Sequence, residues 1–284
     1  MKIYKFLFFF ILIFYFNAGL SAKNSFAYQL TLTGPLVQGG LAIGYTDPGA
    51  EVYVDKRKIR VSKQGVFLIG FGRNAKNIST LQVRFPDTSE IVKILKIEMR
   101  TYDVQRIDGL PSKQVTPGPK ELKRIKSDNA KIANIRRLDS PTASFNSGFQ
   151  WPSIGPITSV FGSQRILNGK KRSPHNGVDV AAPRGSPILA AADGNVALVQ
   201  KNMFFTGKTV MLDHGHGLST VYVHMDKIFV TRGKPVRKGE IIGEVGSTGR
   251  ATGPHLHWGV SLFDVHLDPS LLVGSMPKST SIKK

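Results

Sequence analysis

The chain has 284 residues, with 39 Lys and Arg against 19 Asp and Glu, and a formal net charge of +20. The absence of cysteine excludes disulfides, thiol catalysis and cysteine zinc sites, while an apolar fraction of 41% is enough for packed cores. The charge favours an anionic partner such as a membrane surface or an acidic polymer. Because no helix-turn-helix spacing or concentrated basic stripe is present, we expect no nucleic-acid binding.

The first 22 residues have the layout of a secretory signal peptide. Lys2 and Lys5 precede an apolar run from Phe6 to Phe16, and small residues follow up to Ala22. The run is shorter than the ~18 residues of a membrane span. We therefore expect residues 1–22 to direct export to the periplasm or cell envelope. The alternative is an uncleaved anchor that extends through Leu20.

Residues 23–99 predict a small all-β domain, an immunoglobulin-like sandwich. Short alternating or β-branched segments are separated by turn signals such as Gly39-Gly40 and Asp47-Pro48-Gly49. No catalytic motif is present, so a spacer or a binding module is expected. The expected strands are Tyr28–Thr33, Glu51–Val54, Val66–Phe71, Leu81–Phe85 and Ile91–Ile97.

Residues 100–145 predict a basic helical linker. After Pro119 the chain continues to Leu138 without Gly or Pro, and apolar residues recur near helical spacing. Two interpretations stay open. The helix either lies on an anionic envelope surface, or it is a solvated connector with one packed face.

From residue 146 to 272, glycine-punctuated strands predict an antiparallel β-rich domain. The expected strands include Ile188–Ala191, Asn195–Val199, Thr209–Asp213, Ser219–His224 and Glu240–Val245. Residues 273–284 are rich in Ser and Lys and predict a disordered basic tail. The expected fold class is mainly β.

All seven histidines lie at or beyond position 175, so the chemistry should lie in the C-terminal half. In a strand, residues two apart share a face, which places His255 and His257 together and Leu256 on the other side. The same alternation predicts that Tyr222 and His224 share a face. His214 and His216 are each followed by a glycine, Gly215 and Gly217, so we expect them to be exposed or to stabilise a loop.

His175 and Asp179 also share a face if the chain between them is extended. Asn176-Gly177 and the β-branched Val178 argue against a helix there. Imidazole and carboxylate groups from separate strands would then meet in one cleft. These are ligands that zinc takes. His266 lies in a polar stretch and is expected at the surface.

Three ordered segments closely resemble the LytM/lysostaphin-type zinc endopeptidases, which cut peptide cross-links of peptidoglycan. They are His175–Val196, Leu212–Met225 and Gly233–Val260. The resemblance spans about residues 149–272. It implies a LytM-like antiparallel sheet of the duplicated-hybrid-motif type in the domain at 146–272.

By position, the resemblance implies that His175, Asp179 and His257 bind one Zn2+ per chain and that His224 and His255 are the catalytic pair. Three protein ligands leave one coordination position open, as in catalytic zinc sites. No His-Glu-x-x-His motif is present, so His224 and His255 are assigned jointly to activation of water and stabilisation of the transition state. Asp213 and Tyr222 are expected to be structural.

The implied function is a zinc-dependent endopeptidase that acts on the peptide stems of peptidoglycan. In a double-membraned cell, the expected bond is the D-alanyl–diaminopimelate cross-link. The alternative is a non-catalytic regulator that binds and activates other wall hydrolases. All five positions are filled with competent residues, which favours the enzyme.

Overall fold

The computed structural model describes residues 29–109 and 115–277. The expected signal peptide lies outside the described residues, as does the tail from residue 278. Among the described residues, no helix has both the length and the apolar character that a bilayer crossing requires.

Seven strands form two antiparallel sheets near the N-terminus, one of order β1-β2-β5 and one of order β4-β3-β6-β7. Alternation explains their packing: in β6, Leu81 and Val83 are fully buried between half-exposed neighbours. The strands are β1 Leu30–Thr33, β2 Leu41–Thr46, β3 Glu51–Val54, β4 Arg57–Ile59, β5 Val66–Gly70, β6 Ile78–Arg84 and β7 Glu90–Lys96.

The segment expected as a helical linker contains a strand as well as a helix. Strand β8, Val104–Ile107, pairs in parallel with β10, which belongs to the C-terminal half. Helix α1, Pro119–Arg136, begins with Pro at its first turn, where the missing N–H costs no hydrogen bond. One face is packed, since Ile132 and Ile135 contact Met203, Met211 and Val223.

The C-terminal half is built on a ten-stranded sheet whose main path is β17-β14-β15-β16-β19-β12-β9. All of its pairings are antiparallel, as expected. Its ten strands are β9 Ile157–Ser159, β12 Val178–Ala181, β13 Pro187–Leu189, β14 Gly194–Met203, β15 Gly207–Gly215, β16 Leu218–Ile228, β17 Pro235–Val236, β18 Ile241–Val245, β19 His255–Leu262 and β20 Val265–Leu267. Strands β10 Gln164–Leu167 and β11 Lys170–Lys171 form a separate three-stranded sheet with β8, in the order β11-β10-β8. The short helices are a 3-10 turn at Ser144–Ser147 and α2 at Ser270–Val273.

The N-terminal sandwich has a core of its own and also contributes residues to the hydrophobic core of the C-terminal half. In β5, Phe67 and Ile69 face the N-terminal sandwich, whereas Val66 and Leu68 join the core that contains Leu267 of β20. Arg100 also forms an ion pair of 2.8 Å with the buried Asp268. The N-terminal sandwich is therefore packed directly against the domain that carries the histidines.

Candidate active site

His175, Asp179 and His257 meet beside the end of the ten-stranded sheet. Asp179 in β12 and His257 in β19 are directly paired across the ladder, so their side chains share a face. His175 precedes β12 and completes the group. Asp179 Oδ1 lies 2.8 Å from His257 Nδ1 and 3.0 Å from His175 Nε2, and the two nitrogens lie 2.8 Å apart.

The three facing atoms form a set of metal ligands. His175 Nδ1 lies 3.1 Å from the carbonyl of Val160, which can only accept, so neutral His175 presents a lone pair at Nε2. Ligands 2.0–2.1 Å from a tetrahedral zinc lie roughly 3.3 Å apart, close to the spacing found here. Two imidazoles and a carboxylate are ligands that zinc takes, and this triangle fits it.

A cation from outside the triangle holds the Asp179 carboxylate in place. Arg165 Nη2 donates to Asp179 Oδ2 at 2.9 Å, which leaves Oδ1 facing the two histidines. Burial by itself would raise the pKa of Asp179, but the adjacent His175 and His257 imidazoles outweigh it and keep that pKa far below its usual range. Asp179 is therefore an anion. Burial also lowers the pKa of His175 to about 4, so this ring is neutral and free to coordinate a metal.

His224 and His255 form a second pair of imidazoles beside the metal ligands. Their ring centroids lie 4.8 Å apart, and the His224 ring lies 6.4 Å from that of His257. Each Nδ1 lies 2.8 Å from a backbone carbonyl, that of Thr248 for His224 and that of Gly253 for His255. A carbonyl only accepts, so each Nδ1 carries the hydrogen and each neutral ring has a proton-accepting Nε2. Both rings line the cavity beside the metal ligands.

The face of His224 differs from the sequence prediction. Tyr222 points into the main core, and its hydroxyl accepts a hydrogen bond from Ala191 N at 2.9 Å. His224 lies on the opposite face, because β16 has an irregular register here and His224 has a φ of +62°. The side chains of Val223 and His224 consequently lie on the same face of the sheet as His257, as in a β-bulge. The prediction that Tyr222 and His224 share a face is wrong. The prediction that His255 and His257 share a face is confirmed, and Leu256 is fully buried on the opposite face.

A cavity of about 360 Å³ opens over these groups. The sheet supplies one wall, with Asp179, His255 and His257. Strand β8 supplies Gln105 and Ile107 on another. Asp179 and His257 thus border the same space as His224 and His255, and this space is large enough for a short stretch of peptide.

The remaining histidines, His214, His216 and His266, do not line the cavity. His214 and His216 are buried; His214 Nδ1 donates to the carbonyl of Asp193 at 2.6 Å, and His216 packs edge-on against Phe145. His266 is half-buried rather than exposed. Burial lowers the pKa of His266 to about 3, with Arg136 adding to the shift. The glycines that flank His214 and His216 indicate a turn, but the loop at residues 140–145 covers it.

Asp213 and Tyr222 have structural roles, as predicted. Asp213 accepts hydrogen bonds from Ser140 Oγ and Gly215 N at 2.7 and 2.9 Å, which secures the turn after β15. Burial raises the pKa of Tyr222 to about 12, so its hydroxyl stays protonated inside the core.

Sequence reasoning missed three residues that support the site. Arg165 holds Asp179, Ser159 Oγ lies 2.9 Å from His175 Nδ1, and Thr248 supplies the carbonyl for His224. Arg165 belongs to no recognised motif, and a serine or a carbonyl gives no pattern in the sequence. Their roles depend on contacts between segments distant in sequence.

Comparison with known proteins gives one consistent result. Residues 173–269 match the profile of Peptidase family M23. The structure is similar to that of a putative peptidase M23 from Pseudomonas aeruginosa, with a TM-score of 0.65 and 32% identity over 84% of this chain and 95% of the other. The peptidoglycan DD-endopeptidase ShyA of Vibrio cholerae is 43% identical over 103 residues, which are 36% of this chain and 24% of ShyA.

The DD-carboxypeptidase/endopeptidase Mpg of Neisseria meningitidis is 39% identical over 110 residues, 39% of this chain and 25% of Mpg. The chain thus spans about a quarter of the length of these curated relatives. The family match at residues 173–269 contains all five residues described above.

Proposed function

The chain belongs to peptidase family M23, and from this premise we propose that it is a zinc metalloendopeptidase that hydrolyses peptide cross-links of bacterial peptidoglycan. The observation that carries the proposal is the juxtaposition of the His175–Asp179–His257 triangle with two imidazoles that face one cavity. The names of ShyA and Mpg support the substrate class.

The chain's own residues supply binding, orientation and proton transfer. His175, Asp179 and His257 would hold the zinc, which supplies a Lewis acid that polarises the scissile carbonyl and makes water more acidic. His224 and His255 each present Nε2 to the cavity, so one can take the proton of the attacking water. The other can donate to the developing oxyanion or to the leaving amine. The two roles are assigned to the pair.

The proposed bond is the D-alanyl–diaminopimelate cross-link, and the proposed location is the envelope. Peptidoglycan lies outside the cytoplasmic membrane, which agrees with the signal peptide expected at residues 1–22. The exposed basic side chains of α1, such as Lys120, Lys123 and Lys126, would face an anionic envelope surface while the opposite side packs on the sheet.

Digestion of purified cross-linked peptidoglycan tests the proposal. The zinc-loaded protein, with no other hydrolase present, should convert cross-linked dimers into monomers that mass spectrometry identifies by the bond cut. Chelator should abolish conversion, and restored zinc should recover it. Dimers that persist with the zinc-loaded protein would contradict the enzyme. Conversion only when a second wall hydrolase is added would favour the regulator.

A further inference from the structure

The loop between β18 and β19, residues 246–254, connects both proton-transfer histidines to one further cation. The carbonyl of Thr248 holds the His224 ring, and that of Gly253 holds the His255 ring. Arg250 lies between these two anchors and lines the same cavity as both histidines. A group bound by Arg250 would consequently lie beside the reacting bond.

Arg250 is held in place by the turn between β14 and β15. Its backbone N–H donates to the carbonyl of Phe205 at 2.8 Å, and its guanidinium carbon lies 4.1 Å from the centre of the Phe205 ring. Gly249 has a φ of +72°, and an added Cβ would lie 2.5 Å from Gly207 N. The close packing of the two loops limits the freedom of Arg250, so little entropy is lost when it binds a ligand.

The charge of the cavity favours an anion. Among the described residues that line it, the two arginines are Arg165 and Arg250 and the one carboxylate is Asp179. Arg165 is paired with Asp179, whose other oxygen faces the metal ligands. Burial lowers the pKa of Arg250 to about 10, with Arg165 and Arg172 adding to the shift. Arg250 thus keeps its charge at neutral pH, so the cavity presents a cation beside His224 and His255.

We propose that Arg250 binds a carboxylate of the substrate peptide next to the scissile amide, and so determines which cross-links are cut. The inference rests on the proposed function. When the amine of a cross-link comes from a diamino acid, the carbon that bears the amine can also bear a carboxylate. A planar guanidinium matches a carboxylate through two parallel hydrogen bonds. The free acid is then the preferred substrate, and its carboxamide is a poor one.

Two synthetic cross-linked peptides that differ only in this group, carboxylate or carboxamide, test the proposal. A charged hydrogen bond contributes about 1.5–3 kcal/mol, so the intact protein should cleave the carboxylate peptide about 10- to 100-fold better in kcat/KM. Arg250→Gln should bring the ratio close to 1 by slowing the carboxylate peptide alone. Arg250→Lys keeps the charge without the fork and should retain part of the preference. Lys201→Gln, an exposed change outside the cavity, should retain all of it.

Calorimetric binding of the same peptides to the metal-free protein gives a readout without turnover. The carboxylate peptide should bind more tightly, and Arg250→Gln should remove the difference. A preference unchanged in Arg250→Gln, or an equal loss for both peptides, overturns the role of Arg250. If neither peptide is cleaved but binding still depends on Arg250, the proposed function fails and the carboxylate site stands. If binding shows no such dependence either, both fail.

Discussion

His257 and His224 are neighbours whose nitrogens face different partners. His257 Nδ1 faces Asp179 and His175, the two other ligands of the triangle. His224 donates from Nδ1 to a carbonyl, and its ring lies 6.4 Å from that of His257, centre to centre. At the scale of single residues, we therefore propose that His257 binds the metal and that His224 transfers the proton.

Single alanine substitutions should separate these two roles. His257→Ala removes one of three ligands, so bound zinc and cleavage should both be lost. His224→Ala leaves the triangle complete, so the protein should keep one zinc while kcat falls by about 10²–10⁴-fold, the usual contribution of general acid–base catalysis. Zinc content is measured by elemental analysis and kcat on a cross-linked peptide.

The matched control is His266→Ala, which removes an imidazole outside the triangle and should keep zinc. Loss of metal in His224→Ala would make His224 a ligand. Full activity in His257→Ala would remove His257 from the metal site.

Strand spacing predicted that His255 and His257 share a face, and the resemblance supplied the assignment of His175, Asp179 and His257 as metal ligands. The orientation of His224 could not be predicted from the sequence. Regular alternation places it with Tyr222 in the core, and a local bulge reverses it. Arg165 and Ser159 act through contacts across the fold, which a linear pattern does not encode.

At the scale of elements, the bulge in β16 has a cost in conformational energy. His224 has a φ of +62°, where a side chain with a Cβ is strained by about 1–2 kcal/mol. The surrounding sheet holds it there, since His224 N donates to Thr206 O at 2.9 Å and β16 changes partner from β19 to β18 at this point. Strain at a site of this kind is retained when it orients a functional group.

This strain predicts an unusual order of stability. Both His224→Gly and His224→Ala lack the imidazole ring. The two variants differ only in the Cβ of alanine, which strains the backbone at positive φ. We expect the glycine variant to be the more stable by about 1 kcal/mol, because glycine adopts positive φ without a penalty. Urea unfolding of the metal-free proteins measures the difference.

Lys227, exposed in the same strand and outside the positive-φ region, is the control. At this position Lys227→Ala should be more stable than Lys227→Gly, by about 0.5–1 kcal/mol. The same order at both positions would show that the backbone at His224 is not strained.

Helix α1 shows how far an element can be predicted. Its period indicated a helix with one packed face, and Ile132 and Ile135 do pack on the sheet. The role of its buried acid was not predictable: Asp128 accepts a hydrogen bond from Phe204 N at 2.9 Å and so supports the turn that holds Arg250 through Phe205. Strand β8 was missed because its ladder partner, β10, is distant in the sequence.

At the scale of the whole molecule, the N-terminal sandwich was expected to be a spacer or a binding module, yet it shares a core with the catalytic half. The signal was present in Val66-Phe67-Leu68-Ile69, a continuous apolar run in place of strict alternation. A strand buried on both faces has this pattern. Here one face packs in the sandwich and the other against Leu262 and Leu267.

Because the two halves pack in a shared core, we expect a substitution that destabilises one half to destabilise the other as well. Leu81 is fully buried in the sandwich core, so Leu81→Ala should cost about 2–5 kcal/mol. Both tryptophans, Trp151 and Trp258, lie in the C-terminal half and report its unfolding by fluorescence. If the halves unfold together, the tryptophan transition in urea shifts by the full amount and coincides with the loss of circular dichroism.

Val92→Ala, an exposed change in the same sandwich, should leave the transition within about 0.5 kcal/mol. A tryptophan transition that does not move in Leu81→Ala, while circular dichroism shows an earlier step, would mean that the halves unfold separately.

Coupled unfolding has a consequence for the site. Strand β8, which follows the sandwich directly, forms one wall of the cavity and depends on β10 for its position. If the sandwich and the C-terminal half unfold only together, β8 is in position as a wall of the cavity whenever the metal ligands are assembled.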